Sequence, residues 1–307
     1  MARRDFLSIG DLDAAELAHL LAEAARAKRA PDAFAGALAG KQVALLFEKP
    51  STRTRVSFEV AVTSLGGHAV VLRGDELQLG RGETVEDTGR VLGRYVDAIV
   101  VRTFGQDRLE RLAAGADVPV INALSDREHP CQALADLQTI AEVKGDLRGC
   151  PLAYVGDGNN VAHALLLAGA LAGMDVRVAH PPGFGPDPTI ADHAARLAAA
   201  SGGRVTVTTS VAEAASGAEA FYTDVWASMG QESEAEARRA AFSGYQLDAE
   251  VLRLGQPDAI VLHCLPAHRG EEIAAEVLDG PASVVWDQAE NRLHAQKALL
   301  AWLLGQA

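Results

Sequence analysis

Val43-Ala-Leu-Leu-Phe47 is a continuous apolar run that ends in Glu-Lys-Pro and is followed at once by Ser51-Thr-Arg-Thr-Arg55. A run of this kind, without polar alternation, is typical of a strand that helices cover on both faces. The segment after it begins a helical pattern, and Ser51 is a suitable N-cap residue. The same order of apolar strand and helix recurs along the chain, which predicts parallel sheets in an α/β fold.

Further strands and helices follow from the same patterns. The predicted strands are Lys41–Glu48, His68–Arg73, Val96–Phe104, Val118–Leu124, Leu152–Asp157, Asp175–His180, Arg204–Thr209, Ala220–Val225, Ala259–Leu265 and Ser283–Trp286. The predicted helices include Thr52–Leu65, Thr84–Arg94, Pro130–Lys144, Val161–Ala172 and Ile190–Ala200. A last helix is expected to begin near Asp287, whose spacing to Glu290 suits a capping box. Gly74–Glu83 and Gly230–Gln246 lack a regular pattern, and such segments are often lids or binding loops.

The boundary between two domains is expected in Lys144–Pro151. The length of 307 residues suggests about two domains. The segment follows a long helix, contains Gly145 and Gly149, and ends in a proline before a new strand. We therefore expect two α/β domains, each a mainly parallel sheet flanked by helices, over residues 1–145 and 146–287.

Composition excludes several classes of protein. With 28 Lys and Arg against 41 Asp and Glu, the net charge of −13 argues against binding to nucleic acid or to an anionic membrane surface. The cysteines, Cys131, Cys150 and Cys264, are odd in number and lack C-x-x-C spacing, which excludes a disulfide framework and a cysteine-based zinc site. The sequence has no apolar run of membrane-spanning length and no signal-peptide pattern. We expect a cytoplasmic globular protein.

The Ser51–Arg55 segment predicts a phosphate site. The N-terminus of a helix attracts anions, and arginines beside it add charge-assisted, bidentate hydrogen bonds. The alternative is an ordinary capped helix with surface arginines. The nucleotide P-loop pattern is absent.

His129-Pro-Cys-Gln132 follows the strand Val118–Leu124. Pro130 suits the first helical turn, so His129 and Gln132 can face the same side and donate to a polarised carbonyl oxygen. Arg102, near the end of its own strand, adds positive charge to the same edge. Taken alone, this motif favours His129 as a capping residue without chemistry.

Two strand-to-helix turns have polar side chains suited to an amino acid. Gly156-Asp-Gly-Asn-Asn160 lacks the third glycine of a dinucleotide fingerprint, and its asparagines better suit a carboxylate or an ammonium group. Asp224 precedes Val-Trp-Ala-Ser-Met-Gly230 and can pair with an ammonium group. A solvated turn is the alternative for these residues.

His263-Cys-Leu-Pro266 closes the strand Ala259–Leu265. A cysteine nucleophile needs a base within reach, and His263 is expected on the opposite face of the strand. We therefore discount thiol catalysis and favour the backbone carbonyls before Pro266 as acceptors for an amine.

Together, these five segments resemble the aspartate/ornithine carbamoyltransferase family in order, spacing and placement at strand ends, over essentially the whole chain. S-T-R-T-R and H-P-C-Q mark the family, whereas D-V-W-A-S-M-G with H-C-L-P indicates ornithine rather than aspartate as acceptor. The resemblance implies transfer of the carbamoyl group of carbamoyl phosphate to the side-chain amine of L-ornithine. The products would be L-citrulline and phosphate, in arginine biosynthesis, with no cofactor and no metal.

The resemblance also implies a role for individual residues. Those expected to bind carbamoyl phosphate are Ser51, Thr52, Arg53, Thr54, Gln78, Arg102, His129 and Gln132. Those expected to bind ornithine are Asn160, Asp224, Ser228, Met229, Cys264 and Leu265. The expected catalytic residues are Arg102, His129, Cys264 and Arg292.

The same resemblance implies an assembly and a division of labour between domains. Residues 1–145 would bind carbamoyl phosphate, with a C-terminal helix of about 288–307 packing back on them, and residues 146–287 would bind ornithine. Gln78 would reach the carbamoyl phosphate site of a neighbouring subunit in a homotrimer with shared active sites.

Three alternatives stay open at this point. The acceptor could be aspartate, putrescine or an N-acylated ornithine, although Asp224 suits an ammonium group better than a second carboxylate. The chain could be a nucleotide-binding oxidoreductase, against which the missing glycine argues. It could also be a non-catalytic amino-acid-binding module, which would have no use for the Ser51–Arg55 segment.

Overall fold

The computed structural model describes residues 3–80, 82–227 and 234–305. The chain divides into two compact units, one of Met1–Gln138 with Glu290–Ala307 and the other of Thr139–Ala289. Both divisions fall inside long helices, α5 (Pro130–Lys144) and α12 (Val285–Leu303). The first unit is therefore built from two separate stretches of chain.

The first unit contains a parallel sheet of four strands in the order β2-β1-β3-β4. Its strands are β1 (Gln42–Phe47), β2 (His68–Arg73), β3 (Ala98–Arg102) and β4 (Val120–Leu124). Besides α5, its helices are α1 (Ala14–Arg29), α2 (Arg53–Ser64), α3 (Val85–Leu92) and α4 (Gln106–Gly115). The chain runs from β1 outward to β2 and then returns to the other side at β3. Ligands of open α/β sheets bind at such a reversal, beyond the carboxyl ends of the strands.

The last helix packs on the first unit from Glu290 onward. Asn291 accepts a hydrogen bond from Lys28 of α1, with the Nζ–Oδ1 distance 2.9 Å, and the Arg4 guanidinium lies 4.5 Å from the ring centre of Trp302. Leu299 and Leu300 are fully buried. The expected return of the C-terminal helix to the first unit is thus confirmed.

The second unit contains a parallel sheet of five strands in the order β7-β6-β5-β8-β9. Its strands are β5 (Pro151–Val155), β6 (Asp175–Ala179), β7 (Arg204–Thr208), β8 (Ala220–Thr223) and β9 (Ile260–His263). Its helices are α6 (Asn160–Leu171), α7 (Pro188–Ser201), α8 (Val211–Ala215), α9 (Ala235–Ala241), α10 (Ala249–Leu252) and α11 (Ala275–Leu278). The reversal of strand order lies between β5 and β8, so these strands are expected to present a ligand site.

The predicted fold class, two α/β units with parallel sheets flanked by helices, is confirmed. One predicted strand is wrong: Ser283 makes only an isolated bridge to Val261, and α12 begins at Val285. The run of β-branched residues there is short, and periodicity cannot distinguish a short apolar run from the buried start of a helix. The last helix also begins two residues before the expected Asp287. The other predicted strands and helices are present, with ends shifted by no more than two residues.

Both segments predicted to be irregular contain short helices. Within Gly74–Glu83 the chain forms 3-10 turns at Gly74–Glu76 and Gln78–Gly80, and α9 occupies part of Gly230–Gln246. Among the described residues, none of the helices is both long enough and apolar enough to cross a membrane.

Candidate functional site

In the first unit, the predicted phosphate-binding residues lie at the carboxyl edge of the sheet. Phe47 of β1 pairs in register with Arg102, the last residue of β3, and Arg102 pairs with Leu124 at the end of β4. His129 directly precedes α5 and Arg53 begins α2. The parallel order of the strands brings these segments to one edge.

The loops beyond β1, β3 and β4 are held together by hydrogen bonds. The Glu48 amide donates to the carbonyl of Arg102 at 2.9 Å, and the Asp126 amide donates to the carbonyl of Phe104 at 2.8 Å. Lys49 forms an ion pair with Asp126, and its Nζ lies 4.5 Å from the ring centre of Phe104. These contacts fix the three loops relative to one another, so the edge is preorganised.

The N-terminus of α2 is open. Thr52, and not the expected Ser51, is the N-cap residue, and among the described residues no side chain makes a capping hydrogen bond there. The first amides of a helix have no partner within the helix, so they stay available to an anion. A cleft of about 440 Å³ adjoins this helix end, and its lining includes Ser51, Thr52 and Arg55. The prediction of Ser51 as cap was wrong because the helix starts two residues after it.

Arg292 links α12 to two predicted site residues. Its Nη1 donates to Oε1 of Gln132 at 2.5 Å and its Nη2 to Oγ1 of Thr54 at 3.1 Å. Nε2 of Gln132 donates in turn to Oδ1 of Asp136 at 2.7 Å. Both ends of the Gln132 amide are therefore oriented by buried partners. The role of Asp136 was not foreseen; its only signal in the sequence is its position one helical turn after Gln132.

His129 is a buried, neutral imidazole among arginines. Its side chain is 5% exposed, and burial is the main reason why its pKa lies well below its usual range. The positive charges of Arg292, Arg102 and Arg53 lower the pKa of His129 further. Its Nδ1 is buried and has no hydrogen-bond partner in the described part of the chain. The geometry suits a ligand that has both a phosphate and a polarised carbonyl group.

Gln78 does not join this cluster. It is exposed in the turn Gln78–Gly80, and within the described residues no hydrogen bond connects its side chain to the cluster around His129. The structure thus brings together the other predicted residues of the first unit, including Arg292 from the last helix.

In the second unit, Asp224 lies just after β8 and is the centre of a polar cluster. Its Oδ2 accepts a hydrogen bond from Nδ2 of Asn159 at 2.8 Å, and its Oδ1 accepts one from the Cys264 thiol at 3.0 Å. Asn159 is also the N-cap of α6, since its Oδ1 accepts from the amides of Val161 and Ala162. The predicted Asn160 is the first residue of that helix. Asn159 was missed, although its capping position could have indicated it.

The turn after β9 has an unusual backbone that His263 supports. Leu265 has φ +60°, and the Leu265–Pro266 peptide is cis. The Leu265 amide donates to Nδ1 of His263 at 2.8 Å, and Nε2 of His263 lies 3.1 Å from Oε1 of Glu272. The carbonyls of this turn are thereby fixed in direction, as an amine acceptor requires.

Two predicted residues, Ser228 and Met229, lie outside the described part of the chain.

Helix α9 is anchored by Arg238, which is 8% exposed. Nη1 of Arg238 donates to Oδ2 of Asp157 and to the carbonyl of Trp226, both at 2.9 Å. The anchor therefore joins α9 to the turns that carry Asn160 and Asp224.

Among the described residues, two groups have ligand atoms close enough for a metal ion, with all atoms of a group within 4.8 Å. They are Asp224, His263 and Cys264, and His268, Glu271 and Glu272. In the first group the thiol donates to Asp224, and Nδ1 of His263 accepts from a backbone amide. In the second group Glu272 accepts from the His268 amide at 2.6 Å. Hydrogen bonds account for the closeness of these side chains.

Comparison with known proteins gives matches over both units. Residues 4–142 match the carbamoyl-P binding domain of aspartate/ornithine carbamoyltransferase, and residues 148–303 match its Asp/Orn binding domain. A protein of Parafrankia sp. (strain EAN1pec) named ornithine carbamoyltransferase is 60% identical over 100% of this chain and 98% of its own length.

Solved structures agree with these matches. The ornithine carbamoyltransferase of Pyrococcus furiosus is 52% identical, has a TM-score of 0.96, and the match covers 100% of this chain and 98% of that one. The anabolic ornithine carbamoyltransferase of Campylobacter jejuni is 38% identical, with a TM-score of 0.94 and coverage of 99% and 100%.

Proposed function

The chain belongs to the aspartate/ornithine carbamoyltransferase family, and we propose that it transfers the carbamoyl group of carbamoyl phosphate to the δ-amine of L-ornithine. The products are L-citrulline and phosphate, and the reaction serves arginine biosynthesis. The observation that carries this proposal is the neutral, buried His129 with three arginines around it, beside an uncapped helix N-terminus. The arginines and the helix N-terminus suit a phosphate, and the neutral imidazole suits a carbonyl group next to it.

Carbamoyl phosphate binds to the first unit. Its phosphate lies at the N-terminus of α2, and its carbamoyl group lies against His129 and Gln132. The residues that bind it are Ser51, Thr52, Arg53, Thr54, Arg102, His129 and Gln132, with Gln78 supplied by a neighbouring subunit. The Arg292–Gln132 hydrogen bond supports this assignment, because it turns the amide nitrogen away from Arg292 and fixes the side chain.

Ornithine binds to the second unit. Asp224 pairs with the α-ammonium group, and Asn160, Ser228 and Met229 complete the site for the α-amino and α-carboxylate groups. The carbonyls of Cys264 and Leu265 hold the side-chain amine. Two hydrogen bonds to the Asp224 carboxylate support its role as a fixed anion.

The reaction needs the neutral δ-amine. It attacks the carbamoyl carbon, and the tetrahedral intermediate places negative charge on the carbamoyl oxygen. Collapse of the intermediate breaks the bond between the carbamoyl carbon and the phosphate oxygen, and the proton that the attacking amine loses leaves with the phosphate as hydrogen phosphate. Arg102, His129 and Thr54 stabilise that charge, which is usually the largest contribution to such catalysis. Arg53 and the helix N-terminus neutralise the leaving phosphate. Alignment of two substrates supplies much of the remaining rate.

The domains, the assembly and the location are part of the same proposal. Residues 1–145 with about 288–307 form the carbamoyl phosphate domain, and residues 146–287 form the ornithine domain. Three chains assemble in the cytoplasm as a homotrimer. The exposed position of Gln78, apart from the cluster of its own chain, supports its action in a neighbouring subunit.

The test is a parallel assay of citrulline and phosphate with carbamoyl phosphate and four acceptors: L-ornithine, L-aspartate, putrescine and N-acetylornithine. We expect turnover with L-ornithine alone. Turnover with a different acceptor would retain the phosphate site and overturn the ornithine site. Absence of phosphate release with every acceptor would overturn the proposal.

A further inference from the structure

Glu272 is a fully buried carboxylate in the loop between β9 and α11. Its Oε1 accepts a hydrogen bond from the His268 amide at 2.6 Å. The same oxygen lies 3.1 Å from Nε2 of His263, a side chain that is 1% exposed. A buried carboxylate is costly unless it is hydrogen-bonded, and an apolar side chain would fill the same space without that cost. The two donors at Oε1 therefore call for a functional explanation.

The hydrogen bonds of His263 define its protonation. A backbone amide can only donate, so Nδ1 of His263 must accept the hydrogen bond from Leu265. Nδ1 consequently carries no proton, and the ring is neutral with its proton on Nε2. That proton points to Oε1 of Glu272. The carboxylate thus selects the tautomer that leaves Nδ1 free to accept.

The Leu265 amide belongs to the Cys264–Leu265 peptide. A trans peptide is planar, so an amide held by Nδ1 of His263 points the Cys264 carbonyl in the opposite direction. Leu265 itself has φ +60°, a left-handed conformation that a non-glycine residue adopts only when its surroundings enforce it. The hydrogen bond to His263 supplies one such constraint.

We propose that Glu272 is a positioning residue that, through the Nε2–H tautomer of His263, aims the Cys264 carbonyl at the reacting amine. The inference rests on the proposed function, in which the carbonyls of Cys264 and Leu265 hold the δ-amine of ornithine. Glu272 touches neither substrate. Its effect is transmitted by two hydrogen bonds in series, from carboxylate to imidazole and from imidazole to amide.

Two substitutions separate this role from simple packing. Glu272→Gln retains an oxygen that can accept from His263 and His268, whereas Glu272→Leu retains only the volume. We expect Glu272→Gln to keep kcat/KM for ornithine within about 3-fold, and Glu272→Leu to lose about 10- to 100-fold, as for a broken buried hydrogen bond. The KM for carbamoyl phosphate should stay within about 2-fold in both, because its residues belong to the first unit. Asp279→Asn, which breaks an exposed ion pair with Arg269 in the same region, is the matched control.

Equal losses in the Gln and Leu variants, an unchanged Leu variant, or parallel changes for both substrates would each overturn the inference. Nitrogen-15 NMR of the unsubstituted protein provides a test even if Glu272→Leu does not fold. The His263 signals, identified among nine histidines by their shift in Glu272→Gln, should show an unprotonated Nδ1 and a protonated Nε2. The opposite tautomer, or an imidazolium ring at neutral pH, would overturn the inference.

Failure of the proposed function is distinguishable from failure of this inference. If the unsubstituted protein does not convert ornithine, the acceptor assignment fails, and the NMR result still reports the tautomer. If it converts ornithine and Glu272→Leu does so equally well, only the positioning role fails.

Discussion

Arg292 on the last helix donates to the amide oxygen of Gln132, 160 residues earlier in the chain, at 2.5 Å. Its second contact is to Thr54, 238 residues earlier, at 3.1 Å. A single guanidinium thus orients two residues of the proposed carbamoyl phosphate site in the first unit. The guanidinium holds its donors in a rigid planar fork that meets both acceptors, and the compact ammonium group of a lysine does not reproduce that geometry.

Arg292→Lys should therefore lower kcat/KM for carbamoyl phosphate by about 100-fold, because one of two buried hydrogen bonds is lost and Gln132 or Thr54 is left without its partner. Steady-state kinetics with each substrate varied in turn would measure the effect. The matched control is Arg111→Lys, at an exposed arginine that pairs with Glu86. A similar small loss in both variants would contradict the orienting role of Arg292.

Arg53→Ala should reduce turnover by about 1,000-fold or more while the protein stays folded, because the leaving phosphate loses a charge-assisted partner. Circular dichroism would check the fold, and phosphate release would measure turnover. Arg90→Ala removes an exposed arginine paired with Asp87 and serves as control. Near-normal turnover in Arg53→Ala would be incompatible with the phosphate site at α2.

The pH dependence should differ between the two substrates. The pKa of His129 lies well below its usual range through burial and the neighbouring arginines, so the ring stays neutral as the pH falls from about 8 to about 6. We expect kcat/KM for carbamoyl phosphate to be flat over that range. The kcat/KM for ornithine should rise about 10-fold per pH unit, since an alkyl ammonium group has a pKa of about 10 and only the neutral amine reacts. A decline for carbamoyl phosphate centred near pH 6.5 would mean that His129 titrates.

Glu128 should make stability fall as the pH rises. Burial is the main reason why its pKa is raised from 4.5 to about 7, and hydrogen bonds from Ser8 and the Ile9 amide oppose that rise. The folded protein thus binds an extra proton between pH 4.5 and about 7. The stabilisation from this extra proton is fully present below the pKa that Glu128 has in the unfolded chain. It is lost as the pH rises to the pKa of Glu128 in the folded chain, and the free energy of unfolding falls by about 3 kcal/mol over that range.

Glu128→Gln should flatten this part of the profile, because the amide cannot ionise. Urea unfolding of both proteins at several pH values from about 4.5 to about 7.5 would measure the difference. Parallel profiles for the two proteins would show that Glu128 ionises as readily in the folded chain as in the unfolded one.

Asn159→Ser should separate the two tasks of this residue. Serine retains an N-cap for α6, so the free energy of unfolding should change by less than about 1 kcal/mol. Serine is too short to replace the hydrogen bond to Oδ2 of Asp224, so the KM for ornithine should rise about 10-fold. An unchanged KM would show that Asp224 does not depend on Asn159 for its orientation.

Local patterns were sufficient for most of the fold. Apolar runs such as Val43–Phe47 identified the parallel strands because burial on both faces leaves an uninterrupted apolar sequence. The strand at Ser283–Trp286 failed because the same composition also suits the first turn of a buried helix. Which residue caps a helix depends on the backbone angles of single residues, and this explains why Ser51 was predicted as the N-cap of α2 although Thr52 occupies that position.

The clustering of the candidate site residues was predictable where a motif carries its own chemistry, as in the segments that contain Arg53 and His129. The residues that orient those side chains were less visible. Asp136 orients Gln132, Asn159 orients Asp224 and Glu272 orients His263. These pairs are defined by three-dimensional contacts rather than by a local pattern. The sequence therefore indicated the candidate ligand-binding groups more readily than the residues that orient them.

The division of the first unit into two stretches has a consequence for its synthesis. A ribosome makes Met1–Gln138 before the second unit and Glu290–Ala307 after it. The second unit is continuous and can fold as soon as it emerges, because domains generally fold as units during translation. Arg292 can reach Thr54 and Gln132 only after the whole second unit has been synthesised, so the proposed carbamoyl phosphate site is completed later than the unit that separates its two stretches of chain.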